Sequence, residues 1–234
     1  MYQNGQGTKQ DFKLAKENFE ISASKGNPYA HASLGVMYQK GQGMDKNIKK
    51  AIEHFETVEN KNSFASFSLG TIYQKGEEGV EKDLQKAIKY FERSALKGNP
   101  FANTSLGVMY QKGEGVEKNI KKAINYFEKV ENISSFASFS LGKIYEEGDG
   151  QVEKDLKKAV SYYEKSASKN NPYANGSLAI IFHRGGEGVE KNFEKSKLYL
   201  DRAIKLGDTH SLVYFQNYFS NQEEKEQTKI KKEK

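Results

Sequence analysis

An alanine returns at a fixed step along this chain: Ala15, Ala51, Ala87, Ala123 and Ala159 stand 36 residues apart, and Ser196 follows 37 later. The Asx residues Asp11, Asn47, Asp83, Asn119, Asp155 and Asn192 keep the same step. Tyr38, Tyr73, Tyr110, Tyr145, Phe182 and Phe219 keep it to within a residue. A period of this length means one supersecondary unit copied many times, and a single unit cannot bury its own apolar face. The units must stack, each touching only its neighbours. A second period of 72 lies on top. Asn27-Pro28-Tyr29-Ala30 recurs as Asn99-Pro100-Phe101-Ala102 and Asn171-Pro172-Tyr173-Ala174, and Ser63–Gly70 recurs intact as Ser135–Gly142. The array reads as a copied two-repeat block.

Each unit reads as two helices. Helix A of one unit runs from about Asn27 to Lys40. Asn27 is a natural N-cap, and Pro28 takes the first helical position, where its missing N–H costs nothing. Gly41 supplies a left-handed C-cap. Helix B starts at Asn47, and Ile48, Ala51, Ile52, Phe55 and Val58 fall at the 3 and 4 spacing of one helical face. Leu34, Leu69, Leu106, Leu141 and Leu178 are expected to fill the interface within each unit, with Gly35, Gly70, Gly107 and Gly142 allowing a neighbouring helix close. The glycine pairs Gly41/Gly43, Gly76/Gly79, Gly113/Gly115 and Gly148/Gly150 read as turns. A nucleotide loop needs a preceding strand and further glycine or Lys-Ser/Thr signals, and neither is present.

Composition narrows the function classes. Hydrophobic residues make up 36% and charged residues 29%, with a mean hydropathy of -0.83. Such polarity suits an elongated stack with much wet surface. Cysteine is absent, which removes disulfides, thiol catalysis and thiolate metal sites. No apolar run approaches the roughly 20 residues that span a bilayer, and no signal-peptide pattern is visible. Membrane insertion is therefore not expected, and the compartment stays open. The net charge of +6 is spread as interspersed lysines and glutamates, which reads as a solvated surface rather than a nucleic-acid footprint.

The pattern Ala-x3-Leu-Gly-x2-Tyr-x2-Gly-x-Gly, then Asp/Asn-x2-Lys-Ala-x3-Phe, resembles the Sel-one-like repeat, a relative of the tetratricopeptide repeat. Here it reads Ala30, Leu34, Gly35, Tyr38, Gly41, Gly43, Asn47, Lys50, Ala51 and Phe55, and it covers about Tyr2 to Phe219. The resemblance implies an all-α solenoid, a right-handed superhelix of about six two-helix repeats. It also implies an adaptor role in signalling, membrane-associated protein degradation or bacterial host interaction. The solenoid is expected over 1–220, with a degenerate C-terminal cap marked by Lys197 and Gln216, and a charged, disordered tail over 221–234. Twelve helices are expected, from a helix B near Asp11 to a helix A near Asp208. Met1–Gly7 matches Met37–Gly43, the end of a helix A, so the first repeat is truncated and the chain reads as a fragment of a longer protein. Alternate units depart from the pattern. They place Glu59 and Glu131, preceded by Val58 and Val130, where the others have Ala23, Ala95 and Ala167, which predicts an offset in helix packing.

Chemistry-bearing constellations are missing from the sequence. His31, His54, His183 and His210 lack recurring ligand partners and read as surface or packing residues. No Ser/His/Asp order assembles, and the expectation is a non-enzymatic chain without cofactor, metal or small-molecule substrate. Alignment of the Leu-Gly-x2-Tyr core with tetratricopeptide repeats assigns the helix A positions that line the concave side. Two before Leu-Gly come Ala32, Phe67, Thr104, Phe139 and Gly176, and one before come Ser33, Ser68, Ser105, Ser140 and Ser177. After the tyrosine come Gln39-Lys40, Gln74-Lys75, Gln111-Lys112, Glu146-Glu147 and His183-Arg184. Phe67 and Phe139 are the expected anchors, because a hydrated groove has no structural need for aromatics. At about 10 Å per repeat they would stand on the order of 20 Å apart, a span for roughly six extended residues. Gln74 and Gln111 would pair with the ligand backbone, and Lys75 and Lys112 would favour acidic side chains. Two readings stay open: a scaffold that binds a protein or peptide segment in the groove, and a structural spacer of a larger protein. A nucleic-acid-binding array comes third.

Overall fold

The computed structural model describes residues 11–216. The helix B copies are α1 (Phe12–Ser24), α3 (Ile48–Val58), α5 (Leu84–Leu96), α7 (Ile120–Glu128), α9 (Leu156–Ala167) and α11 (Phe193–Lys205). The helix A copies are α2 (Pro28–Lys40), α4 (Ser63–Lys75), α6 (Pro100–Lys112), α8 (Ser135–Glu147) and α10 (Pro172–Arg184). Residues 209–216 are helical as well, which places the start of the expected twelfth helix beside Asp208. No strand occurs among the described residues. The expected tail over 221–234, Phe219 and the truncated opening at Met1–Gly7 lie outside them. The contacts divide the chain into two compact units with the boundary after Asn119. The first holds α1 to α6 and the second α7 to α11 with residues 209–216. Within each, helices pack on their neighbours in sequence, and α2 also touches α4.

The caps explain where the helices start. Asp11, Asn47, Asp83, Asp155 and Asn192 each accept, through a side-chain oxygen, the backbone N–H three residues on, at 2.8–3.0 Å. Asn27, Asn99 and Asn171 cap α2, α6 and α10 with proline at the first position, while Asn62 and Ser134 cap α4 and α8. The expected left-handed C-cap occurs at Gly41 and Gly113 (φ 67° and 74°). The longer turns differ. Gly76, Gly148 and Gly185 take φ near 65° with extended ψ, and single backbone bridges then close Glu77–Val80, Asp149–Val152 and Gly186–Val189. These are closed turns rather than strands.

Three repeats are locked by an aromatic ring seated on a glycine. Leu34, Leu69, Leu106, Leu141 and Leu178 are essentially inaccessible, as are Phe55, Phe91, Phe127 and Tyr163 from helix B. A Cβ on Gly35 would lie 2.5 Å from the Phe55 ring, on Gly70 2.6 Å from Phe91, and on Gly142 2.5 Å from Tyr163. The glycine thus admits a side chain rather than a neighbouring backbone. The repeat of α3 keeps this lock, and both alternate units end helix B early, α3 with 11 residues and α7 with nine, against 13 in α5. Val58 and Val130 fill the buried place. Glu59 and Glu131 turn their carboxylates to Arg93 and Lys165 of the next helix B. The backbone carbonyls of the same glutamates accept the hydroxyls of Ser66 and Ser138.

A second seam of rings runs along the turn side. Tyr73 stacks on Tyr90, Tyr145 on Tyr162 and Phe182 on Tyr199, with centroids 5.7–5.8 Å apart and planes within 7°. A lysine ammonium (Lys86, Lys158, Lys195) sits 5.0–5.1 Å over each helix A ring. In the first repeat His54 replaces the tyrosine. It stacks on Tyr38 with centroids 5.4 Å apart, and its Nδ1 lies 3.2 Å from Nδ1 of His31. Burial above all, and then His31, hold the His54 imidazole below its ordinary 6.5.

Two predictions follow from this packing. Glycine-to-alanine in an exposed helix gains up to about 1 kcal/mol, but at Gly70 the Phe91 ring reverses the sign. Gly70→Ala is expected to cost about 1–3 kcal/mol by urea denaturation, and Phe91→Leu in the same chain should return part of the loss. At the His31–His54 contact, a depressed value means that the folded chain binds fewer protons than the unfolded one. The stability His54 contributes is therefore full above pH 6.5 and is lost as pH falls below it. His54→Tyr should flatten the decline in urea midpoint between about pH 7 and pH 5. Parallel curves for the two proteins would assign the decline to other groups.

Candidate partner-binding face

Residues spaced by 4, 3 and 4 on a helix share one face, and in the first unit this stripe has the same plan on every helix A. On α2 it runs Tyr29, Ser33, Val36, Lys40. On α4 it runs Phe64, Phe67 beside Ser68, Thr71, Lys75, and on α6 Phe101, Thr104 beside Ser105, Val108, Lys112. The first-turn aromatics are exposed: Tyr29 by 76%, Phe64 by 47% and Phe101 by 67%. The lysines at the far end are exposed too, and the residues between are half-buried or buried. A depression of about 670 Å³ opens between α2 and α4, walled by Tyr29, Val36 and Phe64 and bordered by Lys61 and Lys97.

The residues expected as anchors have two-sided surroundings. Phe67 and Phe139 are both half-buried. Phe67 leans on Phe91 at 5.6 Å and on Phe101 at 5.9 Å between centroids, and Phe139 on Tyr163 at 5.6 Å and Tyr173 at 6.2 Å. Each ring therefore covers the buried helix B aromatic with one edge and leaves another open, a packing use that the sequence did not reveal. Gln74 and Gln111 are half-buried, and Lys75 and Lys112 are exposed, with Lys112 3.6 Å from Glu114. Phe67, Gln74 and Lys75 share α4, Gln111 and Lys112 lie on α6, and Phe139 belongs to the second unit. Other expected lining positions depart: Ala32, Ser68 and Ser140 are buried. At Gly176 any Cβ would meet Ser211 and Asp208.

The second unit keeps the aromatics and changes the far end. Phe136 and Tyr173 are 48% and 60% exposed. At the end of α8, Glu146 accepts the Tyr163 hydroxyl at 2.5 Å, and Glu147 pairs with Lys143 at 3.4 Å. Burial, with Glu146 second, drives the Tyr163 hydroxyl far above the ordinary phenol range. His183 is buried between Phe193 and Phe215 rather than lining a face, and burial lowers its imidazole below the usual value.

Two features escaped the sequence reading. The aromatic at the second residue of every helix A was visible as Tyr29, Phe64, Phe101, Phe136 and Tyr173, inside the very segments that carry the caps. The His31–His54 contact had a fainter signal: both positions carry histidine only in this repeat. Two further depressions, of about 780 Å³ at Tyr73 and 690 Å³ at Tyr145, lie at equivalent turns and mix lysines with Glu81 and Asp83 or Glu153 and Asp155. Among the described residues no three His, Asp or Glu side chains gather as metal ligands, and no helix is long and apolar enough to cross a membrane.

The Sel1 repeat model matches residues 1–27, 28–57, 63–99, 100–129, 135–171 and 172–208. A Sel1 repeat protein from Oxalobacter formigenes is 33% identical, with a TM-score of 0.74 over 88% of this chain and 84% of that one. The antigen c5321 of uropathogenic Escherichia coli, which has an SLR fold, is 27% identical, with a TM-score of 0.52 over 92% of this chain and 55% of that one. A putative Sel1 repeat protein from Klebsiella pneumoniae, 18% identical with a TM-score of 0.50 over 86% of this chain and 98% of that one, shares the fold. No curated protein sequence matches the chain. Six matched copies, spread over most of its length, make this chain a member of the Sel1 repeat family.

Proposed function

We propose that this chain is a non-enzymatic scaffold that holds a segment of a partner protein against the helix A faces of its repeats. Sel1 repeat proteins generally mediate protein–protein interaction, and the fold is a typical non-catalytic scaffold. The observation that carries the reading to this face is the exposed aromatic in the first turn of all five helix A copies. Exposed aromatic rings are what interfaces use as anchors. In this reading Phe67 and Phe139 offer their open edges to the partner. Gln74 and Gln111 pair with its backbone, and Lys75 and Lys112 attract acidic side chains.

Lys75 and Lys112 are exposed, so reversing their charge should leave stability within about 0.5 kcal/mol. Lys75→Glu with Lys112→Glu is expected to cut partner capture from the source cell at least tenfold at an unchanged Tm. Phe67→Leu and Phe139→Leu, which keep an apolar group over the buried ring, should weaken capture more modestly. Capture that is indifferent to all four changes would overturn this face as the binding surface and favour a spacer.

A further inference from the structure

We propose that the helix A face of the first unit receives an acidic amphipathic α-helix of a partner protein, a proposal that rests on the binding-face reading above and names its occupant. Gln74 and Gln111 then meet polar side chains, since a helix bonds its own backbone. The argument comes from width and charge. Tyr29, Phe64 and Phe101 form an exposed aromatic row at one end of α2, α4 and α6, and Lys40, Lys75 and Lys112 form an exposed cationic row at the other. Eleven residues separate ring from lysine on each helix, about 16 Å at 1.5 Å per residue. The half-buried middle of each stripe, as at Val36, Thr71 and Val108, makes the floor between the rows.

An α-helix with its side chains is about 10–12 Å across and fills such a floor while its flanks reach both rows. An extended strand turns alternate side chains away from the surface and presents a single narrow row. The floor and the rings take an apolar stripe. The borders take carboxylates, because lysines stand on both sides: Lys40 and Lys75 at the far end, Lys61 and Lys97 beside Phe64. Carboxylates already present do not cancel them all. Glu114 is spent on Lys112, and Glu77 on Gln39 and Lys46. Helix-in-groove recognition is the mode this combination supports. The second unit does not repeat the cationic row, since α8 ends in Glu146 and Glu147.

The test uses the whole chain and three fluorescein-labelled peptides of about 18 residues, some 27 Å as a helix. The first carries leucines at helical spacing with glutamates on both flanks. The second has lysine for every glutamate, and the third has two central prolines. Fluorescence anisotropy should show the first binding at least tenfold more tightly than either of the others, with the margin over the lysine peptide shrinking as salt rises. Lys40→Glu with Lys75→Glu should weaken it about tenfold, and so should Phe101→Ser. If the proline peptide binds equally and Phe101→Ser still weakens it, the face binds segments but the helical occupant is wrong. If no peptide binds at about 1 mM, or if neither variant alters binding, the helical occupant and the face both fail.

Discussion

Three repeats of this chain depend on a ring entering the space left by a missing methyl group. Phe55, Phe91 and Tyr163 reach from helix B to within 2.5–2.6 Å of where a Cβ would stand on Gly35, Gly70 and Gly142. That contact fixes how closely the two helices of a repeat approach and in which register, because a ring fits one notch and no other. The leucine beside each glycine is then sealed from water, and burial of such a side chain contributes about 1.5–3 kcal/mol. The repeat of α10 and α11 has no such notch: Ala179 stands at the glycine position, buried, and Ser196 donates its hydroxyl to the Ala179 carbonyl at 2.8 Å.

Stacking one repeat on another uses a different currency. Tyr90, Tyr162 and Tyr199 donate their hydroxyls to Glu56, Glu128 and Glu164, about one repeat back on the preceding helix B. Ser94 and Ser166 donate to the carbonyls of Ser63 and Ser135 at 2.7 Å. These bonds are directional and set the register between repeats, while the apolar core sets the distance. Where His54 stands in for the tyrosine, its polar contact turns to His31 instead. The first repeat thus couples this stacked pair to protonation.

Sequence and structure agree wherever the physics is local or periodic. The caps, the 3 and 4 spacing and the Leu-Gly pair led directly to the helices, their order and their core. The two turn types were harder to read, since one extra residue between Gly76 and Gly79 lets a backbone bridge close where Gly41 and Gly43 cannot. The early end of α3 and α7 was foreshadowed by Glu59 and Glu131, but their cationic partners lie 34 residues away and carry no local mark. The face was half legible. Position along a helix told which residues share a stripe, yet it could not tell that Phe67 and Phe139 would lie against the buried ring of helix B. Exposure of a side chain depends on its neighbour's size, and that neighbour comes from another helix.

The copied segments show how one buried change can rewrite a surface. Ser63–Gly70 and Ser135–Gly142 are identical, and Phe67 and Phe139 hold the same 5.6 Å contact to the ring beneath. That ring is phenylalanine at 91 and tyrosine at 163. A buried hydroxyl without a partner costs about 1–3 kcal/mol, so the tyrosine requires an acceptor, and Glu146 supplies it where the other copy has Gln74. Glu147, in place of Lys75, then pairs with Lys143, in place of Thr71. The last turn of α8 is thereby acidic and satisfied within its own unit, whereas that of α4 keeps an amide and an exposed ammonium. Two helices with the same core and the same aromatic end present opposite charge at the other end. A carboxylate that meets an ammonium at the end of α4 would meet carboxylates at the end of α8.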